Sequence, residues 1–145
     1  MLVTKKKLEN PEYTVAEIKR IAEQYKNDLI QFANFGFFKF YNLVRKLKYI
    51  PDPKYQETLS RPKYTINENW QGSRDCDDKT ILILAFCNLK KIPTRIVISG
   101  IGDKPHHVYP EIYFNKIFVP ADATYPNKSV FGKTLYTEKY RKVFT

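Results

Sequence analysis

Asp75-Cys76-Asp77-Asp78-Lys79-Thr80-Ile81-Leu82-Ile83-Leu84-Ala85-Phe86-Cys87-Asn88-Leu89-Lys90 opens on acidic residues and then turns apolar at almost every position. The run from Asp77 to Lys90 is long enough for a helix and has almost no polar face, so it predicts a central, buried helix. Acids in its first turn cap free N–H groups and complement the helix dipole. Ile92-Pro93 stops it, and the β-branched run Thr94 to Ser99 predicts a strand closed by Gly100 and Gly102.

Upstream, Thr14 and Glu17 have the spacing of a capping box, and Ile18, Ile21, Ala22, Tyr25 and Leu29 recur at helical intervals, predicting an amphipathic helix over 14–31. Phe37, Phe38, Tyr41, Val44 and Leu47 predict a second helix running to Tyr49, stopped by Pro51 and Pro53. Pro51 to Arg74 reads as a long loop with little regular structure, of the kind that is usually functional. Downstream, His107 to Phe114 and Ile117 to Thr124, joined by Asn115-Lys116, read as an antiparallel hairpin. The stretch from Pro126 to Thr145 is aromatic and basic and yields no assignment. Helices, a buried helix and then strands make the class α+β.

A chain of 145 residues and 17.2 kDa has room for one domain, residues 1–145, with a helical N-terminal part over 1–50. At 43% hydrophobic and 15% aromatic it is far too apolar for a disordered basic tail. The net charge of +10 suits an acidic partner, a nucleic acid or a membrane surface. Its basic clusters, Lys5-Lys6-Lys7, Arg45-Lys46-Leu47-Lys48 and Tyr140-Arg141-Lys142, are scattered and surrounded by no nucleic-acid motif. A solvated cationic surface is therefore the better reading, and specific nucleic-acid binding is not expected. The first residues carry lysines but no apolar segment of a signal peptide, and the longest apolar run, Ile81 to Cys87, is far short of the roughly 20 residues of a membrane span. A soluble protein of the cytoplasm is expected. Cys76 and Cys87 are separated by about 16 Å of helical rise, too far for a disulfide, which points to a thiol-compatible setting.

Cys76 stands where loop gives way to helix, a placement that favours the thiolate, although Asp75, Asp77 and Asp78 oppose this with nearby negative charge. A cysteine nucleophile needs a base, and His106 and His107 are the only histidines. A two-residue turn at Asn115-Lys116 sets Phe114 opposite Ile117 and, counting back, Tyr109 opposite Asp122. His107, Tyr109 and Asp122 then share one face, with Asp122 the diagonal neighbour of His107, while His106 points elsewhere. One extra residue in the turn would undo this. Asp75, Cys76, Asp77, Asp78, His106 and His107 are also ligand types for zinc, but neither a Cys-x-x-Cys pair nor a His-Glu-x-x-His helix is present, so no metal is expected.

Arg74-Asp75-Cys76-Asp77-Asp78-Lys79, then Lys91-Ile92-Pro93-Thr94-Arg95, His107-Val108-Tyr109-Pro110-Glu111-Ile112-Tyr113 and Phe118-Val119-Pro120-Ala121-Asp122-Ala123-Thr124 resemble the transglutaminase-like superfamily, closest to its compact bacterial and phage versions. The resemblance covers roughly residues 60–130 and rests on blocks in the right order. It implies a papain-like fold with Cys76 as nucleophile, His107 as general base and acid, and Asp122 orienting His107. The family's histidine has an aromatic two residues on and an acid four residues on, and Tyr109 and Glu111 fit His107. The implied chemistry is acyl transfer from an amide of a protein or peptide substrate, without a cofactor, with water a better acceptor than an amine. An oxyanion hole would use the Cys76 N–H and one donor from Gln71 or Trp70. Pro110 departs from the pattern by removing a ladder donor, so its strand should be bulged or at an edge. Phe118 stands where the family often has Trp. Because the superfamily also contains inactive members, a second expectation is a virion or assembly component that uses the fold to dock on other proteins.

Overall fold

The computed structural model describes residues 2–5, 10–53 and 57–145. Lys6 and Lys7 of the first basic cluster lie outside the described residues. In chain order the elements are β1 (Leu2–Lys5), α1 (Pro11–Gln24), a 3-10 segment (Lys26–Phe32), α2 (Phe37–Lys46), β2 (Glu57–Ser60), α3 (Pro62–Thr65), α4 (Cys76–Lys90), β3 (Thr94–Gly100), β4 (His107–Phe114), β5 (Ile117–Pro120) and β6 (Tyr140–Phe144). β1 and β2 form a two-stranded antiparallel ribbon, and the other four strands form an antiparallel sheet in the order β5-β4-β3-β6. The class is α+β, with α4 lying between the helices and the sheet.

α4 is buried all round, from Asp77 through Cys87, as an element without a polar face must be. Ile81, Leu82, Ile83, Leu84 and Phe86 form a core with Ile18, Ile21 and Leu29 from the N-terminal helical part, Phe40 and Val44 from α2, and Ile96, Ile98, Val108 and Ile112 from the sheet. Phe40 and Phe86 stack at 4.2 Å between centroids. Lys91 ends the helix in the left-handed conformation at φ 61°.

Three upstream expectations are corrected. α1 begins at Pro11, not Thr14, because Asn10 is the cap: its side chain accepts from the Tyr13 N–H, and Pro11 at the first helical position has no N–H to lose. Thr14 is buried inside the helix and donates back to the Asn10 carbonyl at 3.3 Å. The same helix stops at Gln24 and tightens into the 3-10 segment, where Asp28 is drawn off to the Arg61 guanidinium at 2.7 Å. α2 ends at Lys46, three residues before Tyr49, because the Lys79 ammonium from α4 takes the carbonyls of Arg45 and Leu47 at 3.2 and 2.7 Å. The segment between Pro51 and Arg74 is not structureless, since it contains β2 and α3.

The hairpin turns at Asn115-Lys116 with φ 53° and 71°, the two positive values a two-residue primed turn requires. Phe114 opposes Ile117 and Glu111 opposes Pro120 with no bulge. β5 ends at Pro120 rather than Thr124, although the Ala121 N–H still donates to the Pro110 carbonyl at 2.9 Å. Pro110 is neither bulged nor on an edge strand, because β4 pairs β3 on one side and β5 on the other. With the Tyr113 N–H donating to Pro93, just before β3, alternation turns the Pro110 backbone to the β5 side, where its carbonyl takes the Ala121 N–H and the strand ends without needing a Pro110 donor. The unassigned tail supplies β6, paired antiparallel to β3 from Ile96↔Phe144 to Gly100↔Tyr140.

Candidate active site

Cys76 is the first residue of α4, and Asp75 is its cap. The Asp75 carboxylate accepts from the N–H groups of Asp77 and Asp78 at 3.1 and 3.4 Å, and Asp78 returns the favour by accepting from the Asp75 N–H at 3.2 Å. This capping box occupies the second and third amides of the helix. Among the described residues the amide of Cys76 itself has no acceptor. Asp78 also accepts from the Ser60 N–H at 3.2 Å, fastening β2 to the helix start. Asp75 and Asp78 are thus structural groups that fold the helix N-terminus and tie the preceding chain to it. Burial, reinforced by Asp77, pushes the Asp78 carboxyl up to about 8.

The sheet meets this helix end where β5 has stopped. Val108, like the other even-numbered β4 residues, turns its backbone groups to the β5 side, but β5 has already ended there and α4 supplies its partners instead. The Thr80 hydroxyl donates to the Val108 carbonyl at 3.4 Å, and the Val108 amide faces the Cys76 thiol. Burial, followed by the charges of Asp77 and Asp75, drives that thiol well above the usual range, while the Val108 amide works against the rise. Helix placement alone predicted the opposite direction; desolvation and the two acids outweigh it. Cys87, deep in the core, is pushed up to about 12 by burial.

Next to Val108, the His107 imidazole lies with Nε2 2.6 Å from Asp122 Oδ2, and the two residues are only 5% and 1% exposed. Asp122 Oδ1 accepts from the N–H and the hydroxyl of Thr124 at 3.0 and 2.6 Å. Tyr41 fixes the Asp122 backbone by donating to its carbonyl at 2.6 Å. Tyr109 stacks on His107 at 5.8 Å and is held in turn by Glu138 and Arg141. The carboxylate accepts, so Nε2 carries the proton and Nδ1 is the nitrogen left to act as a base.

Cys76 and His107 line one cleft of about 730 Å³, together with Tyr49, Ile101, His106, Tyr125, Tyr136 and the chain from Lys128 to Leu135. His106 is in the cleft but is engaged differently, its Nε2 accepting from the Ile101 N–H at 3.0 Å. Gln71 and Trp70 are not placed in it. The Trp70 indole N–H is consumed within its own loop by the Ser73 carbonyl at 3.0 Å, and the exposed Gln71 amide points to the Asn69 carbonyl. Within that loop the Trp70 ring lies against Gly72, where a Cβ would be. Sequence reasoning missed Thr124, although Asp-x-Thr spacing is a recognisable side-chain-to-backbone turn. It also missed Tyr41, Tyr49, Tyr125 and Tyr136, which nothing separates locally from the other tyrosines. Among the described residues, no group of three or more His, Cys, Asp or Glu is arranged to hold a metal, and no helix is long and apolar enough to cross a membrane.

The family model of the transglutaminase-like superfamily matches residues 19–123, from within α1 to one residue past Asp122. No curated protein and no solved structure matches the chain.

Proposed function

We propose that this chain, which belongs to the transglutaminase-like superfamily, is a cysteine-dependent acyl-transfer enzyme acting on amide bonds. Members of the superfamily are usually cysteine enzymes. The observation that carries the reading here is the buried His107–Asp122 pair, 2.6 Å apart, opening on the same cleft as a cysteine at a helix N-terminus.

In this reading Cys76 is the nucleophile. Its thiol is held protonated by burial and by Asp77 and Asp75, so His107 Nδ1 removes the proton as the sulfur attacks, acting as a true general base. Asp122 keeps the proton on Nε2 and stabilises the imidazolium that forms. The oxygen charge of the tetrahedral intermediate meets the Cys76 amide, left open by the capping box. His107 then protonates the departing amine, and a thioester on Cys76 remains. Exposed Lys128, Val130 and Lys133 leave the cleft open to solvent, which favours water as the acceptor over an amine.

The test is acetylation of Cys76 by p-nitrophenyl acetate, followed by intact and peptide mass in the wild type, Cys76→Ala and His107→Ala. The expected result is rapid label at Cys76 that disappears with either substitution. Equal labelling of wild type and His107→Ala, or no label at Cys76 at all, refutes the assignment.

A further inference from the structure

With Gln71 and Trp70 elsewhere, the cleft contains one identified donor for a developing oxyanion, the Cys76 amide, where such sites commonly use two. Of the three tyrosines that line the same space and that the reaction as described does not use, Tyr136 is bonded to Ser99 and the other two are paired. Tyr49 and Tyr125 both line the cleft with Cys76, with ring centroids 4.9 Å apart at 40°. We propose that the Tyr125 hydroxyl is the second oxyanion donor and that Tyr49 is the positioning residue that holds it, an inference resting on the roles of Cys76 and His107 given above.

The anchoring of the two rings supports this. Both neighbours of Tyr49 are bonded to Arg74, two residues before the nucleophile. The Ile50 N–H donates to the Arg74 carbonyl at 2.8 Å, the Arg74 N–H returns at 2.7 Å, and the Arg74 guanidinium donates to the Lys48 carbonyl at 3.0 Å. Tyr125 is fixed from the other side of the site. It follows Thr124, which is bonded through both its N–H and its hydroxyl to Asp122, and its own N–H donates to Ser129 Oγ at 2.9 Å. One ring is therefore registered to the cysteine and the other to the aspartate. The two side chains hydrogen-bond to each other, which holds the Tyr125 ring at the cleft wall beside Cys76.

During acylation by an ester, the carbon–sulfur bond forms as the carbonyl π pair moves onto oxygen, and the thiol proton passes to His107. Tyr125 O–H and Cys76 N–H donate to that oxygen. When the pair returns, the carbon–oxygen bond to the phenolate breaks and acetyl-Cys76 remains. Alkylation by iodoacetamide displaces iodide at a saturated carbon and forms no oxyanion, so it reads thiol reactivity alone.

Tyr125→Phe and Tyr49→Phe remove one oxygen atom each. Tyr125→Phe should slow acetylation by p-nitrophenyl acetate on the order of 10²-fold, Tyr49→Phe should slow it less, and both should leave iodoacetamide alkylation and its dependence on His107 unchanged. Wild-type acetylation in Tyr125→Phe overturns the inference while the roles of Cys76 and His107 stand. Alkylation that falls in parallel with acetylation also overturns it, because the effect is then structural. If acetylation of the wild type does not require His107, the underlying assignment fails and the donor role falls with it.

Discussion

Asp122→Asn changes one atom of the site and should stop it without moving it. In the asparagine the carboxylate becomes one oxygen and one NH₂, and Thr124 decides which goes where. The Thr124 N–H, 3.0 Å from Oδ1, can only donate, so the amide oxygen must stay on that side. The NH₂ then faces His107 Nε2 at the position that Oδ2 holds at 2.6 Å. Nε2 has to accept, its proton moves to Nδ1, and the nitrogen that should take the thiol proton is blocked. Flipping the amide the other way restores the base but leaves a buried N–H facing an NH₂, at about 1–3 kcal/mol. Losing the charge-assisted bond to the imidazolium removes about 1.5–3 kcal/mol more. Together these amount to a loss on the order of 10³-fold, close to the roughly 10⁴-fold that the equivalent change produces in serine triads. The measurement is the rate of Cys76 acetylation by p-nitrophenyl acetate, with thermal unfolding as the control for an intact fold. An Asp122→Asn protein acylating within about tenfold of the wild type refutes both the tautomer argument and the orienting role of Asp122.

Alkylation of Cys76 by iodoacetamide in the free protein should titrate above the roughly 8.5 of an ordinary thiol, with Cys87 unreactive in the folded state; a midpoint below that value would show that an imidazolium overrides burial and Asp77. Lys79 sits at about 7 because burial disfavours its charge, so between pH 7 and its unfolded value near 10.5 the unfolded chain binds more protons and stability gained from this group rises with pH. Lys79→Met, which strips the Arg45 and Leu47 carbonyls of their donor, should destabilise by about 2–4 kcal/mol, and urea unfolding should show a larger deficit at pH 9 than at pH 6; a deficit that shrinks with pH contradicts the assignment. Gly100→Ala would drive a Cβ into the Lys104 carbonyl oxygen, a backbone atom with nowhere to go. That variant should lose about 1–3 kcal/mol and displace His106 from Ile101, seen as a change in its proton resonances, whereas a wild-type melting curve would show that the turn relaxes freely.

The parts of the fold legible in the sequence were those set by local rules. An all-apolar run can only be a central helix, and Asn115-Lys116 can only close a tight hairpin whose register places Asp122 beside His107. The parts missed were set by distant partners. α2 stops short because Lys79, far along the chain, takes its last carbonyls, and a lysine in a buried helix does not announce its acceptor. Pro110 looked like an edge signal because the sequence does not say that β5 ends opposite it. Gln71 and Trp70 are near Cys76 in sequence, but Ser73 and Asn69 claim their donors first. For the Cys76 thiol the sequence set the helix end against three neighbouring acids without deciding between them, and the desolvation that tips the balance upward is a property of the assembled site.

The docking of α4 where β5 leaves off has an implication for how such a site tolerates change. Because Val108 is the residue after the histidine and is itself the contact for Cys76 and Thr80, the spacing between nucleophile and base is gauged by a single peptide unit of the sheet. That spacing involves neither the turn at 101–105 nor the segment at 130–135 on the outer wall of the cleft, beyond the Ser129 anchor of Tyr125. Those segments are therefore free to be lengthened, shortened or exchanged to admit different substrates while the reacting atoms keep their separation. An engineer grafting new recognition loops would leave Cys76, Thr80, His107, Val108, Asp122 and the Tyr49–Tyr125 pair untouched and vary only the loop chain of 101–105 and 130–135.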